Sequence, residues 1–209
     1  MKLQTASVAL IIMAKAPQAG LAKTRLIPSL GAPGAARLAR RLLAHTIDCA
    51  RAAQTFAHVE LCVTPCVEHE AFVTLAHDMP VTEQVTGDLG QRMRLAFERV
   101  LQDHSACVMI GTDAPDLSTA HLEQACAALS THDAVLTPAL DGGYALIGLK
   151  RAWPTLFTDM PWSSAQVMSQ TRERLRELGL RWHEQAAVTD IDEARDLAHL
   201  PAHFLEDAP

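Results

Sequence analysis

One stretch decides the predicted fold of this chain: Lys15-Ala16-Pro17-Gln18-Ala19-Gly20-Leu21-Ala22-Lys23-Thr24-Arg25. An apolar run at residues 8–13, typical of a buried strand, precedes it, and a stretch with helical spacing follows it. Its cations Lys15, Lys23 and Arg25 therefore lie between a first strand and a first helix, where ligands bind in an α/β sheet. We expect a pocket for one anionic small molecule, with phosphate as the leading candidate. The alternative is a solvated loop whose charge is incidental.

The composition narrows the class of protein. The 209 residues are 49% hydrophobic and 20% charged, which is an ordinary globular balance, so we predict a single domain over residues 1–209. A formal net charge of −6 and an aromatic content of 4% argue against a nucleic-acid-binding protein, because such proteins use basic patches and aromatic stacking. No apolar run is long enough to cross a membrane.

The cysteines predict a reducing compartment. Five thiols cannot all pair with one another, and three of them lie within apolar stretches. We therefore expect reduced core thiols in a cytoplasmic protein. The alternative is a metal or redox site at Cys62 and Cys66, but their spacing is not C-x-x-C and the sequence has no second pair.

Strand-like runs alternate with helical stretches along the rest of the chain. Residues 59–63, 107–110 and 134–137 are predicted strands, and residues 144–149 are predicted to pair with a neighbour across the turn Asp141-Gly142-Gly143. This alternation predicts an α/β, Rossmann-like fold with a mainly parallel central sheet and helices on both faces. The residues Gly31-Ala32-Pro33-Gly34 predict a break before the first long helix.

Asp113 is the leading candidate for a metal ligand. It directly follows the predicted strand at residues 107–110, so its carboxylate is expected at the same sheet edge as the cationic loop. Proteins bind Mg²⁺ and Mn²⁺ through one or two carboxylates together with substrate phosphates. The alternative is that Asp113 or Asp116 caps the next helix, although Ser118 can fill that role instead.

A second carboxylate is available near the end of the sequence. Residues 189–192 are expected between a last strand and a short helix, which places Asp190 and Asp192 at a strand end. Such a pair, taken alone, is more often part of a surface turn.

Two glycine-containing motifs are further candidates for a substrate cleft. Asp88 and Arg92 flank the start of a predicted helix, where Gly87 and Gly90 permit a close approach of the backbone. The glycines of the turn at residues 141–144 would let backbone amides meet a second substrate. The second of these motifs is otherwise an ordinary tight turn.

Four motifs in this order resemble those of the DUF2064 family. That family is similar to nucleotide-diphospho-sugar transferases of the GT-A fold, and some members are labelled as glycosyltransferases associated with arsenosugar or selenium-linked gene neighbourhoods. Phospholactate guanylyltransferases and molybdopterin guanylyltransferases are distantly similar. The resemblance covers nearly the whole chain. The motifs are Lys15-Ala16-Pro17…Gly20…Lys23-Thr24-Arg25-Leu26, Gly87-Asp88-Leu89-Gly90-Gln91-Arg92-Met93, Gly111-Thr112-Asp113-Ala114-Pro115 and Asp141-Gly142-Gly143-Tyr144.

The resemblance implies that the first motif binds the phosphates of a nucleotide. Lys15, Lys23 and Arg25 would hold the phosphate oxygens, with Gly20 and Thr24 in the same loop. Lys23 would also act in catalysis.

The resemblance further implies a metal centre and an acceptor side. Mg²⁺ or Mn²⁺ would be held by Asp113 and by Asp192, which opens a segment similar to the Asp-Thr-x-x-Asp-Leu segment of related nucleotidylyltransferases. Asp113 would be catalytic, and Asp141 is the candidate general base. Asp88 and Arg92 would line the nucleotide or acceptor cleft. The acceptor would meet Gly142, Gly143 and Tyr144.

The chain departs from two related families. Sugar-phosphate nucleotidylyltransferases open with G-x-G-x-R, where this chain has Pro17-Gln18-Ala19-Gly20. Phospholactate guanylyltransferases share a Lys-Thr-Arg-Leu loop but follow Asp-Gly-Gly with Thr-Asn, where this chain has Tyr144-Ala145. These differences argue against guanylyl transfer to phospholactate, and they leave nucleotidyl transfer in general open.

Three functions remain in competition. The first is a metal-dependent glycosyltransferase with a nucleotide-diphospho-sugar donor and a small-molecule acceptor. The second is a nucleotidylyltransferase that releases pyrophosphate from a nucleoside triphosphate. The third is a catalytically silent nucleotide-binding protein, since a fold does not fix a function. The sequence leaves the nucleotide base, the acceptor and the oligomeric state open.

Overall fold

The structure, a computed structural model, describes residues 7–205, and over this range the chain forms a seven-stranded sheet covered by helices. The strands are β1 (Val8–Lys15), β2 (His58–Thr64), β3 (Val81–Glu83), β4 (Ala106–Ile110), β5 (Ala134–Pro138), β6 (Tyr144–Leu149) and β7 (Trp182–Glu184). The helices are α1 (Ile27–Ala53), α2 (Glu70–Leu75), α3 (Leu89–Val100), α4 (Thr119–Ala128) and α5 (Val167–Glu177).

The sheet is mostly parallel, as predicted. The strand order is β3-β2-β1-β4-β6-β5-β7, and only β6 among these strands runs against its neighbours. β6 pairs with β5 across the turn at residues 141–143, which confirms the predicted antiparallel pair. The α/β class and the Rossmann-like architecture predicted from the sequence are confirmed.

Alternation along the buried strands builds one apolar core on each face of the sheet. In β1, Leu10 and Ile12 pack with α1, α2 and α4, whereas Ala9 and Ile11 face the opposite way, toward α3 and α5. Because both faces are covered, the strand is apolar on both sides, which explains why it appears in the sequence as an unbroken hydrophobic run.

The strand order sets the position of the ligand site. β1 and β4 are parallel neighbours, but the chain that follows them leads toward opposite edges of the sheet, to β2 after β1 and past β6 to β5 after β4. This is a topological switch point, where the loops after the two strands diverge and leave a crevice. The loop that follows Lys15 and the loop that contains Asp113 therefore emerge side by side.

The predicted break at residues 31–34 is confirmed at Gly31, whose φ of 69° is not helical, although the first turn of α1 already begins at Ile27. Near the end of the chain, residues 189–192 lie between the last strand, β7, and a short 3-10 helix at Ala194–His199, as predicted, but β7 ends at Glu184, so they do not follow it directly. Val188 forms an isolated bridge with Ala139, after which the backbone crosses toward the end of β4. A crossing segment cannot extend the ladder with β5.

Two glycines allow one connecting segment to pack tightly against the sheet edge. This segment, residues 158–166, precedes α5. A methyl group at Gly90 would overlap the carbonyl oxygen of Phe157 and lie 2.8 Å from Nε1 of Trp162. A methyl group at Gly142 would overlap the carbonyl oxygen of Ala165. The position of this segment therefore depends on the absence of a side chain at Gly90 and at Gly142, which both belong to motifs noted in the sequence.

The cysteines and the helices can also be compared with the expectations from the sequence. All five cysteines are free thiols, and Cys62 and Cys107 are buried. Within residues 7–205 no helix has both the length and the apolar character needed to span a lipid bilayer.

The close contact at Gly90 predicts a stability effect. We expect Gly90→Ala to lower the free energy of unfolding by about 1–2 kcal/mol, because the methyl group has no space beside the Phe157 carbonyl. Urea unfolding measures the effect, with Gly111→Ala as the matched control, since nothing lies within 4 Å of a methyl group there. Equal unfolding midpoints for the two variants would contradict the packing.

Candidate active site

A cleft of about 730 Å³ opens at the carboxyl edge of the sheet. Its walls come from the first loop (residues 15–25), the loop after β4, the start of β6, the segment 158–166 and residues 190–196. Most of the residues singled out from the sequence line it: Lys15, Lys23, Thr24, Arg25, Asp113, Asp141, Gly143, Tyr144 and Asp192. Gly20, Asp88, Arg92 and Gly142 do not.

Three carboxylates meet at one side of the cleft. One oxygen from each of Asp113, Asp190 and Asp192 lies within 4.8 Å of the other two, and we call this group the carboxylate cluster. The sequence prediction paired Asp113 with Asp192. The structure adds Asp190, which had been noted at the same expected strand end but was not included in the predicted metal site.

Backbone hydrogen bonds hold the late segment against the loop after β4. The Ile191 amide donates to the Asp113 carbonyl oxygen at 2.9 Å. Asp196 then fixes the following turn, because its Oδ2 accepts from the amides of Asp192 at 3.0 Å and Glu193 at 2.7 Å. These bonds place the carboxylates at residues 190 and 192 beside Asp113. The next helix has Ser118 at its N-cap position, so Asp113 is not needed there.

Lys23 reaches two members of the carboxylate cluster. Its Nζ lies 2.7 Å from Asp113 and 3.7 Å from Asp192, and it also donates to the Ile191 carbonyl. Only 5% of the side chain is exposed. Burial by itself lowers the pKa of Lys23, but the ion pair with Asp113 outweighs it and raises that pKa above the ordinary value. Lys23 therefore carries its charge in the folded protein, where it is the internal counter-ion of the cluster.

The other two cations of the first loop also have partners. Arg25 lies 2.7 Å from the Asp192 carboxylate, and Lys15 donates to the Leu21 carbonyl at 2.9 Å. Among the charged side chains that line the cleft within residues 7–205, six are acidic and four are basic. The cleft is thus acidic overall, although the loop was expected to make it cationic. The lining side chains therefore favour cations over anions.

Asp190 is the most perturbed carboxyl group of the cluster. Burial raises its pKa to about 7, and repulsion from Asp113 contributes further. The group is therefore close to half protonated near neutral pH, and a cation placed beside it would favour the charged form.

The predicted residues outside the cleft have structural contacts. Asp88 caps α3 by accepting from the Gln91 amide at 2.8 Å. Arg92 donates to the Gln84 side chain at 3.1 Å, and Gly20 allows a turn with a φ of 82°. Gly142 contacts Ala165, as described above. Their proposed ligand contacts stay predictions.

Asp141 and Tyr144 line the cleft on the β6 side. Asp141 is exposed, and its Oδ1 accepts from the Gly143 amide at 2.8 Å, which shapes the turn. Tyr144 contacts Trp162 edge-on, with ring centroids 6.5 Å apart. Among residues 7–205 the Tyr144 hydroxyl is the one buried side-chain polar atom without a hydrogen-bond partner. Such a group costs about 1–3 kcal/mol, and a ligand that pairs with it recovers this energy.

Sequence reasoning missed the apolar wall of the cleft. Met13, Met93, Met109 and Trp162 line it, and in the sequence they are indistinguishable from ordinary core residues. The proximity of Trp162 to Gly90 is set by the fold alone.

A comparison with known families identifies the family of this chain. The sequence profile described as "Uncharacterized protein conserved in bacteria (DUF2064)" matches residues 46–164, which is more than half of the chain. The chain belongs to the DUF2064 family. No curated protein matches it.

Solved structures share the fold of this DUF2064 chain. A protein of Desulfovibrio desulfuricans G20, provisionally described as a nucleotide-diphospho-sugar transferase, is 29% identical with a TM-score of 0.84, covering 91% of this chain and 84% of that one. CMP:2-keto-3-deoxy-manno-octonic acid synthetase in complex with CTP is 13% identical with a TM-score of 0.62, covering 97% and 100%. Rv0371c of Mycobacterium tuberculosis H37Rv in complex with manganese is 17% identical with a TM-score of 0.59, covering 97% and 100%.

The raised pKa of Asp190 predicts how the cluster affects stability. Because that pKa lies above the ordinary value, the folded protein binds more protons than the unfolded chain between about pH 4 and pH 7, and stability falls as pH rises through this range. Asp190→Asn has no charge to bury there. We expect it to raise the free energy of unfolding of the metal-free protein by about 1–3 kcal/mol at pH 8, and by less at pH 5.

Urea unfolding in EDTA at the two pH values measures this difference. The control is Asp116→Asn, which removes an exposed carboxylate outside the cluster. A gain from Asp190→Asn that is equal at pH 5 and pH 8 would show that the Asp190 charge is not what destabilises the folded state.

Proposed function

We propose that this protein is a metal-dependent glycosyltransferase that uses a nucleotide-diphospho-sugar donor and a small-molecule acceptor. The observation that carries the proposal is the carboxylate cluster, which faces Lys23 and Arg25 at the switch point of the sheet. The choice of a nucleotide-sugar donor is supported by the Desulfovibrio desulfuricans protein, which has the same fold and is 29% identical over most of the chain.

The donor set of the cluster fits Mg²⁺ or Mn²⁺. Both ions prefer carboxylate oxygen ligands and complete their coordination with phosphate oxygens and water. The acidic excess of the cleft also fits, because a nucleotide diphosphate would otherwise be repelled by Asp113, Asp190 and Asp192. A relative with the same fold has been crystallised with manganese.

The charged groups of the first loop would bind the leaving diphosphate. A divalent ion, when bound, supplies charge neutralisation at that diphosphate. With the carboxylates balanced in this way, Lys23 and Arg25 would be free to donate to phosphate oxygens, Arg25 in bidentate fashion. Preorganised cations that face the developing charge are the main source of rate enhancement in such reactions.

Asp141 is the residue that we propose as the general base. Its Oδ2 is not used by the turn that holds Oδ1, and the exposed side chain lines the cleft. A carboxylate in that position can accept the proton of an acceptor hydroxyl as the new glycosidic bond forms.

Nucleotidyl transfer is the second candidate, and one observation favours it. The chain covers the whole length of a cytidylyl-transferring synthetase solved with CTP, although 13% identity supports only the fold. The same cations and carboxylates would serve an in-line displacement at a phosphate. The two functions differ in the product, which is a free nucleoside diphosphate in one case and pyrophosphate in the other.

The first test combines binding with product identity. We expect one nucleoside diphosphate and its sugar conjugate to stabilise the protein in thermal unfolding only with Mn²⁺, by about 2.7 kcal/mol at a hundred times the dissociation constant. Asp113→Asn should lose this effect, whereas Asp116→Asn should keep it. Phosphorus NMR of the reaction then distinguishes the products. Release of pyrophosphate would contradict glycosyl transfer and indicate nucleotidyl transfer. Binding without turnover would favour a silent nucleotide-binding protein.

A second test uses the double role of Lys23. Lys23→Met should lower the melting temperature of the metal-free protein, because it leaves the carboxylates of Asp113 and Asp192 without their counter-ion. The same change should strengthen Mn²⁺ binding in the absence of nucleotide, several-fold, since a cation no longer competes for the cluster. Isothermal titration with MnCl₂ measures this, with Lys15→Met as the control. Weaker Mn²⁺ binding by Lys23→Met would contradict the competition.

A further inference from the structure

The cleft has a second end whose chemistry differs from that of the carboxylate cluster. Apolar side chains form its wall there, and we call this part the methionine pocket. Its residues are Met13, Leu89, Met93, Met109, Ile147 and Trp162, with Tyr144 at its side. None of these side chains is charged. A mechanism that moves a diphosphate uses none of them.

The methionine pocket lies deeper along the same strands that carry the polar end. Met13 precedes Lys15 by two residues on β1 and so shares its face of the sheet. Met109 lies on β4, upstream of Asp113, and packs with Met93 of α3 in the core cluster on the α3 and α5 face. The two ends therefore form one continuous cleft, with a cation site at the mouth and an apolar site inside.

The wall of the methionine pocket is held in place by the two glycine motifs. The close packing of Trp162 on Gly90, and of Ala165 on Gly142, fixes the segment 158–166 against the cleft. The Met168 amide also donates to the Gly142 carbonyl at 2.8 Å. Trp162 is thus a rigid wall and not a loose surface residue.

The chemistry of the pocket selects among the parts of the two substrates. A nucleobase is recognised through several donors and acceptors on its edge, whereas the side chains of the methionine pocket offer only the Tyr144 hydroxyl and the Trp162 indole nitrogen. Sugars, too, need many hydrogen bonds. The methionine pocket instead suits an apolar group of variable shape, because its wall consists of methionines, branched aliphatic side chains and an aromatic ring.

We propose that the methionine pocket binds an apolar part of the acceptor, a ring or a short branched chain with one hydrogen-bonding group. This inference rests on the proposed function, because it assigns the inner end of the cleft to the acceptor of that reaction. The group lies against Trp162 and Met93, and its single polar atom pairs with the unpartnered Tyr144 hydroxyl. Trp162 is then the residue that determines acceptor specificity.

The experiment uses 4-methylphenol as an apolar probe and erythritol as a polar one. Protein labelled with ¹³C at the methionine methyl groups reports binding by NMR. We expect 4-methylphenol to shift the signals of Met13, Met93 and Met109, and erythritol to leave them unchanged. Met79, which lies in the core on the opposite face, is the internal control.

Two variants test the pocket without relying on one fold-sensitive change. Trp162→Ala should weaken 4-methylphenol binding at least fivefold, whereas Trp153→Ala, which removes a ring outside the cleft, should change it less than twofold. Leu89→Gln should leave the core intact, because 38% of Leu89 is exposed. It should also weaken the binding of 4-methylphenol. Unchanged probe binding in both Trp162→Ala and Leu89→Gln would overturn the proposal.

Failure of this inference can be told apart from failure of the proposed function. Mn²⁺-dependent stabilisation by a nucleoside diphosphate should be the same in Trp162→Ala and in the unaltered protein. If cytidine or uridine shifts the signals of Met13, Met93 and Met109, the base occupies the methionine pocket. If erythritol binds as tightly as 4-methylphenol, the pocket does not select apolar groups. Either result overturns the inference while leaving nucleotide transfer intact. Loss of all nucleotide binding would instead overturn the proposed function.

Discussion

Repulsion among three neighbouring carboxylates is the constraint on which this site depends. Oxygens of Asp113, Asp190 and Asp192 within 4.8 Å of one another are costly to hold together unless positive charge lies beside them. Lys23 supplies that charge from inside, and Arg25 supplies it from the exposed side. The shape of the first loop follows from this requirement, because Lys23 adopts a left-handed backbone conformation, with a φ of 48°, to reach the cluster. A residue with a side chain is rarely found in that conformation unless its surroundings impose it.

In the proposed reaction the two ends of the cleft have separate roles. At the mouth, the charges of both signs would let a divalent ion and a diphosphate replace an internal ion pair. Inside, the walls are apolar and are fixed by close backbone packing at Gly90 and Gly142. Such a division suits a reaction between a highly charged donor and a less polar acceptor, since each partner finds an environment of its own kind.

The sequence predicted the parts of this site that depend on local signals. The apolar run of β1, the turn after β4 and the N-cap at Ser118 are each read from a few adjacent residues, and they were sufficient to locate Asp113 and the first loop at one sheet edge. What the sequence did not reveal depends on contacts between distant parts of the chain. Lys23 and Arg25 are neutralised by Asp113 and Asp192, which follow them by about 90 residues or more, so the cleft is acidic although the loop is basic. Gly90 and Trp162 approach each other for the same reason, and no local pattern marks either of them as a partner.

The ion pairs of Lys23 and Arg25 also determine when the site can form while the chain is being synthesised. The Lys23 ammonium and the Ile191 carbonyl to which it donates are 168 residues apart. A ribosome-bound chain that has not yet reached residues 190–196 already contains the first loop and Asp113, but it has neither the rest of the carboxylate cluster nor the turn that Asp196 fixes. The metal and nucleotide that we propose would therefore have no complete site on the growing chain. Their binding energy would become available only after the sheet has formed and the apolar core is in place.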